Sequence, residues 1–256
     1  MYPILFKVGN LAVRTYGVVL VLVFFICLYF LKYEARRFSI TNKAIDHMVN
    51  YLLLGGLIGA RLYYALFYDA YYYFTKPWTL LFIWEGGLAI HGAIIGGLIG
   101  LYLFARKSGI KFLVLANLLA PILLLGQAIG RVGCFLNGCC YGLPTNMRWG
   151  VIFPKDSFAY YQFGFHAVHP TELYELFLNL IGFVILWSVR KNVRNYLFSL
   201  YLMYYGVVRF IVSFFRADSL YLWGTDIRIA HITSVILILS GVFLFKYIRN
   251  KAESLT

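Results

Sequence analysis

Apolar positions run along this chain in seven long blocks, broken only by scattered glycines and a few polar residues. The blocks are Tyr16–Leu31, Met48–Tyr68, Gly87–Phe104, Phe112–Ile129, Leu173–Val189, Leu197–Phe215 and Ile229–Tyr247. Crossing a bilayer as a helix takes about 20 mostly apolar residues. The pattern therefore predicts seven transmembrane helices joined by short loops. One connection is different. From Gly130 to Thr171 the chain is polar, aromatic and punctuated by Pro and Gly, which predicts a small head outside the membrane at about residues 143–168. The expected architecture is an all-α polytopic membrane protein forming one domain over residues 1–256. The opening "MYPILFKVGN" lacks the basic start and small-residue cleavage site of a signal peptide, so the first span is expected to remain.

Composition strengthens the membrane reading. The chain is 62% hydrophobic and 13% charged, whereas soluble domains run near half apolar and about a quarter charged. A net charge of +13 raises the question of nucleic acid, but no run of five Lys or Arg occurs. The basic residues instead favour alternate loops. One side carries thirteen Lys and Arg, the other eight, and Arg61 and Arg209 fall inside spans. The richer side is expected to be cytoplasmic, which puts the N-terminus outside, the C-terminus in the cytoplasm and the head outside.

This orientation gathers polar residues at one level. Helical rise places Arg61 about 10 Å, Arg209 about 9 Å and His91 about 6 Å below the outer ends of their spans. Arg131, His169, Glu172 and Glu175 fall at the outer ends of the fourth and fifth spans. Charged groups inside a bilayer are costly and usually mark a pathway or a site. Arginine's rigid fork suits phosphate, and histidine takes a proton near neutral pH. A site that grips a phosphate and moves a proton, open to lipid, points to a phospholipid. A phospholipid transporter or non-catalytic scaffold uses the same residue types, although no repeated halves are evident. Alone, Arg61 or Arg209 would equally suit snorkelling or the capping of carbonyls.

Small residues at helical spacing in "GGLIGAR" (Gly55–Arg61) and "HGAIIGGLIG" (His91–Gly100) predict close helix packing. Aromatics in "YDAYYYF" (Tyr68–Phe74) suit a membrane-interface belt, and those in "DSFAYYQFGFH" (156–166) suit a belt or a receiving surface. Three of the four cysteines crowd into "GRVGCFLNGCCYG" (Gly130–Gly142), while Cys27 sits in the first span as a packing or lipid-facing residue. Cys134, Cys139 and Cys140 admit three readings. They could bind metal with His166 or His169 as a fourth ligand, form a disulfide from Cys134 to Cys139 or Cys140, or pack inertly. No C-x₂-C spacing favours the first.

The same motifs resemble the bacterial phosphatidylglycerol–prolipoprotein diacylglyceryl transferase family over nearly the whole chain. That family's signature, Gly-Arg-x-Gly-Asn-Phe-x-Asn-x-Glu-x-x-Gly, frames "GRVGCFLNGCCYG". "RTYG" (Arg14–Gly17), "GAR" (Gly59–Arg61), "WEGGLAIHG" (Trp84–Gly92), "HPTELYE" (His169–Glu175) and "YGVVRFIVSFFR" (Tyr205–Arg216) follow the family's order. The resemblance implies transfer of the diacylglyceryl group of phosphatidylglycerol to the lipobox cysteine of a prolipoprotein signal peptide, the first step of lipoprotein maturation. It implies His91, Arg131 and Arg209 as catalytic residues. It further implies a phosphatidylglycerol site from Arg131, Arg209, Arg216, Arg61, Tyr16, Tyr205, Asn137 and Gly142. No metal, no organic cofactor and no nucleic acid are implied. The enzyme would work as a monomer in the bacterial inner membrane with its active site towards the outer leaflet. Three positions depart from the family: Cys134 stands for its asparagine, Cys139 for its glutamate, and Ser213 for a glutamate common in relatives. Glu85, Glu172 and Glu175 are candidates to replace the lost carboxylates; a paralogue with another lipid substrate is the alternative these departures leave.

Overall fold

The first block of helix begins at Thr15, just after two short strands, β1 (Ile4–Val8) and β2 (Leu11–Arg14), which pair antiparallel. This is a computed structural model; it describes residues 4–8, 11–155, 157–222 and 225–253. Asp156, at the head of the second aromatic stretch, and the side chain of Glu85 lie outside the described residues. The hairpin corrects the all-α expectation at one end. Its signal was Gly9–Asn10, a turn dipeptide between two apolar runs.

The remainder is helical: α1 (Thr15–Ala35), α2 (Asn42–Phe67), a short α3 (Ala70–Thr75), α4 (Ile90–Ser108) and α5 (Phe112–Asn137) come first. Then come a short α6 (Phe158–Phe163), α7 (Thr171–Val189), α8 (Leu197–Ser213) and α9 (Ile229–Glu253). Among the described residues, five helices are long and apolar enough to cross a membrane: α1, α2, α5, α7 and α9. α8 is apolar but has 17 residues. α4 is diluted by glycines and carries Arg106 and Lys107 in its last turn. Large apolar side chains such as Phe25, Tyr29, Leu239 and Phe243 are exposed on these helices, as lipid-facing surfaces require.

The fourth span runs further than the pattern predicts. α5 continues past Ile129 through Arg131 and Cys134 to Asn137, so half of the cysteine motif is helix rather than loop. The helix stops where Gly138 turns left-handed (φ 70°), which a glycine does without a Cβ penalty.

The chain divides into two units, Lys32–Ala116 and the remainder. In the first, α2 and α4 touch backbone to backbone. A Cβ on Gly96 would lie 2.1 Å from the carbonyl oxygen of Gly55, and one on Gly92 2.2 Å from that of Gly59. In the second unit, Ala120, Leu124, Phe183, Leu186, Leu197 and Tyr201 form an apolar core. Asn117 is buried beside it with its polar atoms satisfied: its Nδ2 donates to the Asn195 carbonyl (3.1 Å) and its Oδ1 accepts from the Phe198 N–H (2.8 Å), capping the start of α8. The head has its own core of Tyr141, Phe153, Ala159 and Val168, closed by bridges between Pro144 and Val168 and between Val151 and Val168.

Candidate functional site

One carboxylate organises the polar end of the larger unit. Glu175 lies in the second turn of α7, on a buried face that also carries Glu172, Asn179, Gly182, Phe183 and Leu186. That spacing of three and four turns "HPTELYE" inward, so both carboxylates enter the protein rather than the lipid. The Glu175 side chain is 1% exposed and meets three guanidiniums. Arg131 of α5 pairs with Oε2; Arg209 of α8 (2.6 Å) and Arg216 (3.3 Å) pair with Oε1.

Arg216 follows the end of α8 and is held twice, because Asp218 receives its Nε and Nη2 at 2.9 and 2.7 Å. The arginine side chains are not equally accessible: Arg209 keeps 25% exposure and Arg131 18%, against 8% for Arg216. Arg216 is therefore committed, while Arg131 and Arg209 keep donors to offer. Glu172 is buried with neither carboxylate oxygen hydrogen-bonded among the described residues. Tyr205 stands among Glu175, Arg209, Arg131 and Arg216, with its ring stacked on Tyr201 at 5.9 Å. Tyr16, in the first turn of α1, lies against Gly133 and neighbours Arg131 and the three cysteines.

Other anticipated residues take different places. Gly142 is where three segments cross: its N–H donates to the His169 carbonyl (2.9 Å), and a Cβ there would lie 2.6 Å from the carbonyl oxygens of His169 and Phe215. Its contribution is close approach of backbone, which only glycine permits. Asn137 donates to the Cys139 sulfur at 3.6 Å. His169 shares a hydrogen bond between Nδ1 and the Tyr174 hydroxyl (3.0 Å), and that hydroxyl accepts from Trp149 Nε1 at 2.7 Å. Burial pushes His169 below its ordinary value, so the ring is neutral near pH 7.

Arg61 departs most from its expected role. In the Lys32–Ala116 unit its Nε donates to the Leu80 carbonyl (3.1 Å), its Nη1 to those of Gly86 and Gly87, and its Nη2 to those of Thr79 (2.6 Å) and Phe82 (3.0 Å). All five N–H donors are used on the loop between α3 and α4, so none is left for a phosphate. The carbonyls of one short 3₁₀ turn (Pro77–Leu81) and of residues flanking a second (Ile83–Glu85) are what consume it. His91, in the first turn of α4 of that unit, is exposed, with the Tyr63 ring 5.8 Å from its own.

Cys134, Cys139 and Cys140 bring their sulfur atoms within 4.8 Å of one another, and all four cysteines are free thiols. Neither His166 nor His169 joins the group. Glu175, expected only as one candidate to replace a lost carboxylate, is the shared partner of the three arginines, and Asp218 was not anticipated at all. The signal for Glu175 was its i, i+3 relation to Glu172 on an otherwise apolar helix; Asp218 carried none.

A family model described as "Prolipoprotein diacylglyceryl transferase" matches residues 3–247. Proteins named phosphatidylglycerol–prolipoprotein diacylglyceryl transferase align over almost the full chain. The one from Fusobacterium nucleatum is 35% identical over 96% of this chain and 98% of its own length. That from Bordetella avium is 34% identical over 95% and 93%. That from Thermotoga maritima is 35% identical over 97% and 85%.

Proposed function

The chain belongs to the prolipoprotein diacylglyceryl transferase family, and on that premise we propose that the arginines around Glu175 hold phosphatidylglycerol while its diacylglyceryl group passes to a thiol. The enzyme is a membrane transferase of lipoprotein maturation, with phosphatidylglycerol and a prolipoprotein as substrates. The observation that carries the site reading is the cluster on Glu175: a buried carboxylate between two arginines that retain accessible donors.

The reaction asks for three things. The lipobox sulfur attacks the glyceryl carbon that bears the phosphate; the C–S bond forms as the C–O bond breaks, and glycerol phosphate departs with the electron pair. A thiol with pKa about 8.5 is mostly protonated at neutral pH, so a base must accept its proton. His91 is assigned that role, being exposed and carrying an imidazole nitrogen able to accept a proton. Negative charge grows on the leaving phosphate, and Arg131 and Arg209 stabilise it with donors already in position. Glu175 fixes both forks before substrate arrives, so little ordering is needed when it binds. Arg216, locked by Asp218 and Glu175, positions the cluster. Arg61 holds the loop that leads into α4 and so positions His91. Tyr16 and Tyr205 border the headgroup; Asn137 and Gly142 shape the loop beneath it.

The helices α4 and α8 complete seven crossings in this reading. α4 follows α2 at backbone distance, and the 17 residues of α8 extend about 26 Å. Lys and Arg bias supports an outside N-terminus, a cytoplasmic C-terminus and a site towards the outer leaflet. The residues assembled on Glu175 come from one chain, which supports a monomer as the working unit.

Purified protein given phosphatidylglycerol and a lipobox peptide is expected to yield a thioether-linked diacylglyceryl peptide and free glycerol phosphate, both readable by mass spectrometry. The absence of both products would refute the transferase reading. Alanine at His91, Arg131 or Arg209 is expected to lower turnover by about 100-fold or more, the cost of losing a preorganised donor or base. Full activity in all three would remove the site model.

A further inference from the structure

From the three sulfurs gathered at the end of α5, we infer that this chain binds a soft, three-coordinate metal cation of the monovalent copper type. Adjacent residues such as Cys139 and Cys140 ordinarily point apart and make poor joint ligands. Here Cys140 is left-handed (φ 69°), two residues after the left-handed Gly138, and the tight turn brings both sulfurs to the Cys134 side. A non-glycine residue is strained in that region and persists there only where the surroundings enforce it. Three thiolates at about 2.3 Å from a metal lie about 4 Å from each other in a trigonal plane. The observed spread, within 4.8 Å, needs little movement to reach that.

Charge favours the same cation. One monovalent ion displacing three thiol protons forms a dianionic centre, and two guanidiniums stand beside it. Arg131 reaches the Cys134 sulfur at 3.9 Å, and Arg216 neighbours Cys140. Asn137 adds a donor to the Cys139 sulfur. Soft thiolates select monovalent copper. A closed structural zinc site takes four protein ligands, and among the described residues no His, Asp or Glu joins the group. The metal-free expectation came from the family resemblance, beside the lack of a C-x₂-C spacing; the left-handed turn at Cys140 brings the three sulfurs together without that spacing.

The test loads the full-length, detergent-purified protein with Cu(I) under anaerobic reducing conditions, against a chromophoric Cu(I) chelator. One copper per chain is expected, with a shell of three sulfurs at about 2.3 Å by X-ray absorption. Cys134→Ser, Cys139→Ser and Cys140→Ser are each expected to weaken binding by more than about 100-fold, beyond the cost of an outer-shell loss. Cys27→Ser is expected to leave it unchanged. No copper retained by the wild type, a two-sulfur shell, or dependence on Cys27 would overturn the proposal. So would zinc held with four protein ligands, or a Cys134 disulfide that survives reductant and removes two titratable thiols. The absorption shell is read on the wild type, so the result does not depend on how the serine variants fold.

Discussion

Glu175 is ion-paired with three arginines, its side chain almost wholly removed from solvent. Charges in such a place are stable only together: removing one partner strands the rest and costs about 3–5 kcal/mol. Glu175→Gln is therefore expected to destabilise the protein by about that amount in reversible denaturation, where an exposed pair would be worth about 1 kcal/mol or less. A conservative change at an arginine separates holding from catalysis. Arg209→Lys keeps a positive charge for Glu175 but loses the planar fork, so turnover is expected to drop by about tenfold or more with the fold retained. Equal activity would mean that charge alone suffices. The arginines were legible because a charge in an apolar run stands out. Their shared partner was not, because which charges meet depends on how α5, α7 and α8 pack.

At the scale of elements, small residues decide how near two helices come. Gly55, Gly59, Gly92, Gly96 and Gly100 line the α2–α4 seam, and a Cβ on any of them would lie 2.4 Å or less from a backbone oxygen. Gly97, one residue away, would meet nothing within 4 Å. Gly96→Ala is expected to cost about 1–3 kcal/mol by forcing the helices apart. Gly97→Ala is expected to be neutral or to stabilise by up to about 1 kcal/mol through helix propensity. Thermal unfolding of the two variants in one detergent separates packing from propensity, and equal losses would argue against a tight seam. The glycine stripes were legible as packing signals. The run of α5 through Asn137 was not, since "GRVGCFLN" reads as punctuation until its glycines are seen helical on the way to Gly138.

For the whole molecule, the decisive matter is which helices cross and in which direction. A reporter fused after the C-terminus is expected to be active in the cytoplasm and silent when it requires export; one placed in the head near residue 147 is expected to behave oppositely. A C-terminal reporter active outside would invert the orientation and carry the site to the other leaflet. The expectation rests on the excess of Lys and Arg on one set of loops, a feature counted directly along the chain.

The sequence by itself determined the membrane class, the helical blocks, the arginines and the family, because each follows from local composition or from residues in fixed order. Hydrophobic length and motif order need no third dimension. Only the tertiary structure decided that Glu175 joins Arg131, Arg209 and Arg216, that Arg61 is spent on five carbonyls, and that Cys140 turns its thiol towards Cys134 and Cys139. Hydrogen-bond partners and sulfur distances depend on which residues distant in the chain are packed together, and on single backbone angles that no periodicity records.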